Sequence, residues 1–231
     1  MVLKKKNVTK LIYIISTLVI FSLGVTFIDA VIQPPYFLKI AIKIIFFLLI
    51  PILYFIIWKT ETVEFKTLFH FDSKGMKLSI ILAFIIYGAI VCGFFLTRNA
   101  FDFSMVTENL TSGMRIDINN FIYVAIYITF FNSLLEEFFF RGFGFITLKK
   151  YVNRTVSYLV SPVLFAIYHM GMTFGSYDLL ILCVMMSGLF AGGIIFNFLN
   201  EKYGNLYQSW FVHMAADAAI MTVGAVLFGI V

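Results

Sequence analysis

Three short motifs set ionisable side chains inside long apolar runs: Glu136-Glu137-Phe-Phe-Phe-Arg141, Phe165-Ala-Ile-Tyr-His169 and His213-Met-Ala-Ala-Asp217. An ionisable group in a membrane helix is costly unless paired or hydrated, so each one marks a candidate functional site. Glu137 and Arg141 are four apart in the favourable order, which predicts a charge pair on one helix face. Glu136 points about 100° away from Glu137 and is left without a local partner. Such a carboxylate, held away from water, suits a general base. The alternative is that both glutamates make only structural salt links. His213 and Asp217 also share a helix face, where the carboxylate could fix the imidazole tautomer or both groups could face one site. His169 stands on another helix. A lone membrane histidine is usually explained by an interhelical hydrogen bond, but two histidines with carboxylates nearby go beyond that. Glu136, His169 and His213 also form the ligand set of a catalytic zinc with an open fourth position, although HExxH is absent.

The elements that must hold these residues are membrane helices. The 231-residue chain is 61% hydrophobic and 13% charged, with a mean hydropathy of +0.98. Soluble domains run at about 45–50% apolar and about 25% charged. A soluble fold of this length has too little interior to hide so much apolar surface, whereas lipid removes the need to hide it. The +5 charge does not point to nucleic acid, because the basic residues lie in short runs between apolar segments, as topology signals do. Cys92 and Cys183 lie far apart in apolar runs and read as packing residues. Seven segments reach or approach spanning length: Leu11–Ile32, Tyr36–Trp58, Met76–Thr97, Phe121–Phe140, Thr155–Met172, Leu179–Leu199 and Ser209–Val231. The first is too long for a signal peptide and is expected to remain. The expected fold is all-α, a polytopic bundle of about seven transmembrane helices. It forms a single membrane domain over residues 1–231, with N-terminal helices and an external loop in 1–118 and the chemistry in 119–231.

Basic residues set the expected orientation. With the N-terminus inside, thirteen fall on the cytoplasmic side: Lys4, Lys5, Lys6, Lys10, Lys59, Lys66, Lys74, Lys77, Arg141, Lys149, Lys150, Arg154 and Lys202. Lys39, Lys43, Arg98 and Arg115 fall on the other, together with the C-terminus. Asp29, Lys39 and Lys43 are read as lying near external helix ends. Arg98–Asn120 is left as a loop or a short interfacial helix, and Thr60–Gly75 as a stretch along the interface. Glu136 should lie near the cytoplasmic end of the fourth segment and His213 about 9 Å in from Tyr207. His169 comes out about 21 Å from Thr155, too deep to join them, unless Ser161-Pro162 starts its helix and leaves about 12 Å. Gly142 and Gly144 are expected to let the chain turn at the membrane surface, and Gly188, Gly192 and Gly193 to allow close helix contact. The Ile/Phe/Lys/Asn-rich composition suggests an AT-rich bacterial genome, and the expected location is the plasma membrane, crossed several times with the N-terminus in the cytoplasm.

The order EExxxR, FxxxH, HxxxN/D on successive late membrane helices resembles the CAAX-protease and bacteriocin-processing family of intramembrane proteases, also called CPBP or Abi. The resemblance runs over roughly Asn120 to Ala225. It implies a helical core with a catalytic cavity opening towards the cytoplasm and hydrolysis of membrane-proximal peptides, prenyl or leader-type. It implies water activation by Glu136 and His169, oxyanion stabilisation by His213 and residue 217, and supporting roles for Glu137, Arg141 and Phe165. Both a metal-free mechanism and one using Zn²⁺ on Glu136, His169 and His213 are compatible with it. The sequence departs from many members at Asp217, where they carry asparagine; an ionised aspartate would repel an oxyanion. The peptide could be a bacteriocin or pheromone precursor, or the role self-immunity. The competing readings are a non-catalytic immunity or scaffold protein that binds a peptide partner, and a proton-coupled carrier. The lack of an inverted repeat counts against the carrier.

Overall fold

The computed structural model describes residues 5–59, 62–113, 115–173 and 179–231. Lys4 of the N-terminal basic run and the first two residues of Thr60–Gly75 lie outside them. As expected, the fold is all-helical, with no strand among the described residues. Seven helices are long and apolar enough to cross a membrane: α1 Asn7–Ile32, α2 Tyr36–Ile57, α3 Met76–Thr97, α4 Phe121–Lys150, α5 Arg154–Thr173, α6 Leu179–Tyr203 and α7 Tyr207–Leu227. Many large apolar side chains point outward, among them Phe37, Phe84 and Leu96 at 76–85% exposure. Water would penalise such a surface and lipid does not. The loop between α3 and α4 contains a short helix, Ser104–Glu108, and another short helix, Thr62–Leu68, lies between α2 and α3.

An aromatic core locks α1, α2, α4 and α5 together. Phe47 of α2 stacks on Phe139 of α4 with ring centroids 4.1 Å apart and meets Tyr168 of α5 edge-on at 5.2 Å. Such pairs add roughly 0.5–1.5 kcal/mol each beyond the area they bury. α3 packs along α7, and α5 lies between α1 and α6.

Three segment readings need correction. α4 does not stop at Phe140; it continues to Lys150, largely as a π-helix over Glu137–Thr147. Thr147 Oγ1 donates to the Gly142 carbonyl five residues back at 2.9 Å, which suits the wider turn. Gly142 and Gly144 therefore make no turn, and neither has a positive φ. Gly144 instead admits Leu18 of α1, whose Cδ2 would lie 2.8 Å from an added Cβ. Nor does Ser161-Pro162 start a helix, since α5 runs through Pro162 unbroken from Arg154. The Ser161 hydroxyl donates across to the Phe140 carbonyl at 2.7 Å, tying α5 to the π segment instead of capping its own helix. Close contact on α6 falls on Gly193, where a Cβ would come 2.7 Å from Pro162; Gly188 and Gly192 face open space.

α4 also changes character along its length. No residue in 122–131 is buried, whereas every residue in 135–145 is. The site lies where that change occurs.

Candidate active site

Glu136 closes the short α-helical stretch Ser133–Glu136 between two π segments of α4, Tyr127–Asn132 and Glu137–Thr147. π segments inside helices are frequent at functional sites. With α4 lengthened, Glu136 lies near its middle, about 20 Å from either end, and not near the cytoplasmic end. The depth conflict with His169 disappears without a special cap. Leu206, just before α7, lies within 3.6 Å of where a Gly142 Cβ would be, six residues from Glu136. His213 is six residues from Tyr207, so by helical rise both stand about 9 Å from a common level.

The two oxygens of Glu136 have different surroundings. Oε1 accepts from Tyr168 Oη at 2.8 Å and Asn132 Nδ2 at 2.6 Å, with Lys43 Nζ 3.7 Å away. Lys43 is itself anchored, donating to Asn132 Oδ1 at 3.1 Å. Oε2 accepts no hydrogen bond and faces His169 Nε2 at 3.8 Å and His213 Nε2 at 3.7 Å. Glu136 is thus held by three groups on one oxygen and is far from partnerless.

Each imidazole is oriented through its other nitrogen. His169 Nδ1 donates to the Phe165 carbonyl at 2.8 Å, one turn earlier. His213 Nδ1 donates to Glu137 Oε1 at 2.9 Å. Both assignments follow from the acceptors, a carbonyl and a carboxylate, and both leave Nε2 facing Glu136. The carboxylate that orients His213 is therefore Glu137, a role the motif spacing had offered to Asp217. Asp217 Oδ1 lies 3.8 Å from His213 Nε2 and so faces the same space as Glu136.

Glu137 and Arg141 meet as their spacing predicts, Oε1 to Nη1 at 3.4 Å, with both side chains fully buried. The guanidinium lies over the rings of Phe165 at 4.0 Å and Phe196 at 4.9 Å. Cation–π attraction of this kind is strongest when desolvated. Phe165 also packs edge-on against His169 and His213, and Phe196 stacks on His213 at 5.2 Å. The helices thus bring together Glu136, His169, His213 and Asp217, with Glu137, Arg141 and Phe165 packed behind them.

The motifs missed Lys43, Asn132 and Tyr168. Asn132 was visible as a polar residue one turn before Glu136, and Tyr168 as the neighbour of His169. Lys43 was assigned to an external helix end; instead it is buried, and its ammonium reaches the site from α2.

The donor types at Glu136, His169 and His213 suit zinc. Among the described residues, however, no group of three His, Cys, Asp or Glu side chains is arranged to hold a metal ion.

Residues 118–219 match the family model of type II CAAX prenyl endopeptidase Rce1-like proteins. This bears out the resemblance to the CAAX-protease family and takes in every residue of the site except Lys43. No curated protein and no solved structure matches the chain. Together with the seven apolar helices, the match supports a protease that is a multi-pass membrane protein.

Proposed function

On the premise of that family match, we propose that the chain is an intramembrane endopeptidase in which Glu136 and His169 activate water against a membrane-proximal peptide bond. The observation that carries this reading is the division between the oxygens of Glu136: Oε1 is saturated by Tyr168, Asn132 and Lys43, and Oε2 is free. The gaps of 3.7–3.8 Å from Oε2 to the two Nε2 atoms are too long for direct hydrogen bonds and short enough for one water to touch both sides.

In this mechanism Oε2 takes a proton from that water while His169 Nε2 orients it. The hydroxide adds to the scissile carbonyl, and His213, carrying protons on both ring nitrogens, donates from Nε2 together with Asp217 to the oxygen as it becomes negative. Asp217 must carry a proton to donate there. Glu136 then returns its proton to the leaving amine. Lys43, Asn132 and Tyr168 fix the carboxylate, and Glu137 fixes His213. No step requires a metal, although the Glu/His/His donors leave a zinc-dependent variant to be tested with chelator. The substrates are membrane-proximal or leader-type peptides, as in processing of a bacteriocin or pheromone precursor or in self-immunity.

Glu136→Gln tests the reading. The amide oxygen can still accept from Tyr168 and Asn132, so the fold should persist. Loss of the base should lower peptide turnover by roughly 10²–10⁴-fold. Turnover near the parent level in a folded Glu136→Gln protein would refute the mechanism. Full biological activity with peptide binding but no cleavage would favour the scaffold reading.

A further inference from the structure

α6 carries none of the three motifs, yet one stripe of it is turned towards the site. The residues buried along α6 are Gly193, Phe196, Asn197, Leu199 and Asn200, all in its second half. Gly193, Phe196, Asn197 and Asn200 recur at the spacing of a single helix face. The first half is left largely to lipid, with Leu179, Leu180 and Val184 at 63–75% exposure.

Two asparagines buried in an apolar helix need an explanation, because an amide withdrawn from water is costly unless its polar atoms are bonded. Packing alone does not supply one. Asn200 Nδ2 donates to the Ser209 hydroxyl of α7 and to the Phe196 carbonyl, both at 2.7 Å, but among the described residues its Oδ1 accepts nothing. Asn197 accepts from Ser161 at 3.4 Å, and its Nδ2 has no acceptor among those residues. A leucine at position 200 would fill similar space with no orphaned oxygen.

Asn200 leads to the site through Ser209. Ser209 and His213 are one turn apart on α7 and share a face. His213 Nδ1 donates to Glu137 Oε1 at 2.9 Å, and the Ser209 hydroxyl stands within hydrogen-bonding range of the same carboxylate. That hydroxyl accepts from Asn200, and its one proton goes to the Leu206 carbonyl, 3.1 Å away, or turns to Glu137. Glu137 Oε2 otherwise accepts nothing among the described residues. Phe196, one turn before Asn200, stacks on His213 at 5.2 Å and lies under the Arg141 guanidinium at 4.9 Å.

We propose that Asn200 and Ser209 are positioning residues: the amide of Asn200 fixes Ser209, Ser209 fixes Glu137, and Glu137 holds the His213 ring so that Nε2 meets the reacting oxygen. The consequence for turnover rests on the protease reading; the chain of contacts does not.

The test measures cleavage kinetics, thermal unfolding and the nitrogen-15 signal of His213 Nδ1 in the full, histidine-labelled chain, that signal being identified by its loss in His213→Gln. Ser209→Ala and Asn200→Leu should each lower kcat by roughly 10–100-fold, the scale of a reacting group displaced by up to about 1 Å. KM should not change, because both side chains act through Glu137 and not on the peptide. The unfolding temperature of Asn200→Leu should hold or rise, since no donor is left unpaired, and Ser209→Thr, which keeps the hydroxyl, should stay near the parent in turnover. The two residues act in series, so the double variant should be no slower than the slower single one. The His213 signal should move in both single variants. Near-parent kcat in folded Ser209→Ala and Asn200→Leu, an unfolding temperature that falls in step with kcat, losses that multiply in the double variant, or an unmoved His213 signal would overturn the assignment. No cleavage by the parent, with the His213 signal moving as expected, would uphold the relay and refute the protease reading.

Discussion

Neighbouring glutamates on α4 have unlike partners, and substitution should separate them. Glu136→Gln keeps its acceptor for Tyr168 and Asn132, so thermal unfolding should change by no more than about 1 kcal/mol. Glu137→Gln can still accept from His213 but strips the counter-charge from Arg141, which cannot shed its proton. Breaking such a buried pair costs roughly 3–5 kcal/mol, so thermal unfolding should drop sharply and activity with it. Equal stability losses would contradict the division of roles. At residue 217 the amide donates without needing a proton of its own. Asp217→Asn should therefore match or exceed the parent's turnover, and chelator should not affect either protein. A loss of roughly 10–100-fold restored by Zn²⁺ would instead place Asp217 behind a metal-bound His213. The sequence revealed the carboxylates, histidines and arginine of this candidate site because charge in an apolar run is conspicuous, but Lys43, a turn or two from a helix end, read as an interface residue. Tyr168 and Asn132 stayed hidden because a tyrosine or asparagine in a membrane helix is unremarkable until its partner is known.

Helix packing explains what periodicity could and could not show. Segmentation ended α4 at Phe140 because Arg141, Gly142 and Gly144 look like a membrane boundary. The arginine is in fact buried under Phe165 and Phe196, and the glycines lie in a continuing π-helix. Hydropathy cannot register that wider turn, and so the depth of Glu136 was misjudged. The glycine spacing on α6 pointed to the correct helix, but only Gly193 touches Pro162. Gly193→Ala should cost roughly 1–3 kcal/mol by overpacking and lower turnover by displacing α5 with His169. Gly188→Ala should leave thermal unfolding unchanged or slightly improved. Matching losses for the two variants would show that the α5–α6 contact lies elsewhere.

Across the whole molecule, the expected orientation can be checked with reporter fusions at Lys150 and Val231, which should read opposite sides of the membrane; both reading cytoplasmic would contradict seven crossings. The number of crossings was legible because a spanning helix needs only length and apolarity, whereas the burial of Lys39 against Asp29 and of Lys43 against Asn132 depends on packing that composition does not show. The helices also divide by hydropathy. α4, α5 and α7, which carry the three motifs, have mean values of 1.3, 1.3 and 1.5, against 2.4–2.8 for the other four. Charged side chains at a helix centre raise the insertion cost by about 2.5–3.5 kcal/mol each, and α4 brings three within six residues. During synthesis α4 emerges before Tyr168, Phe196 and His213 exist to receive Glu136, Arg141 and Glu137. It should consequently dwell beside the insertion machinery, sheltered by α1 and α2, until the later helices arrive. Nascent chains arrested shortly after Lys150 has left the ribosome should crosslink to that machinery through α4, and chains arrested with α7 fully emerged should be released into lipid.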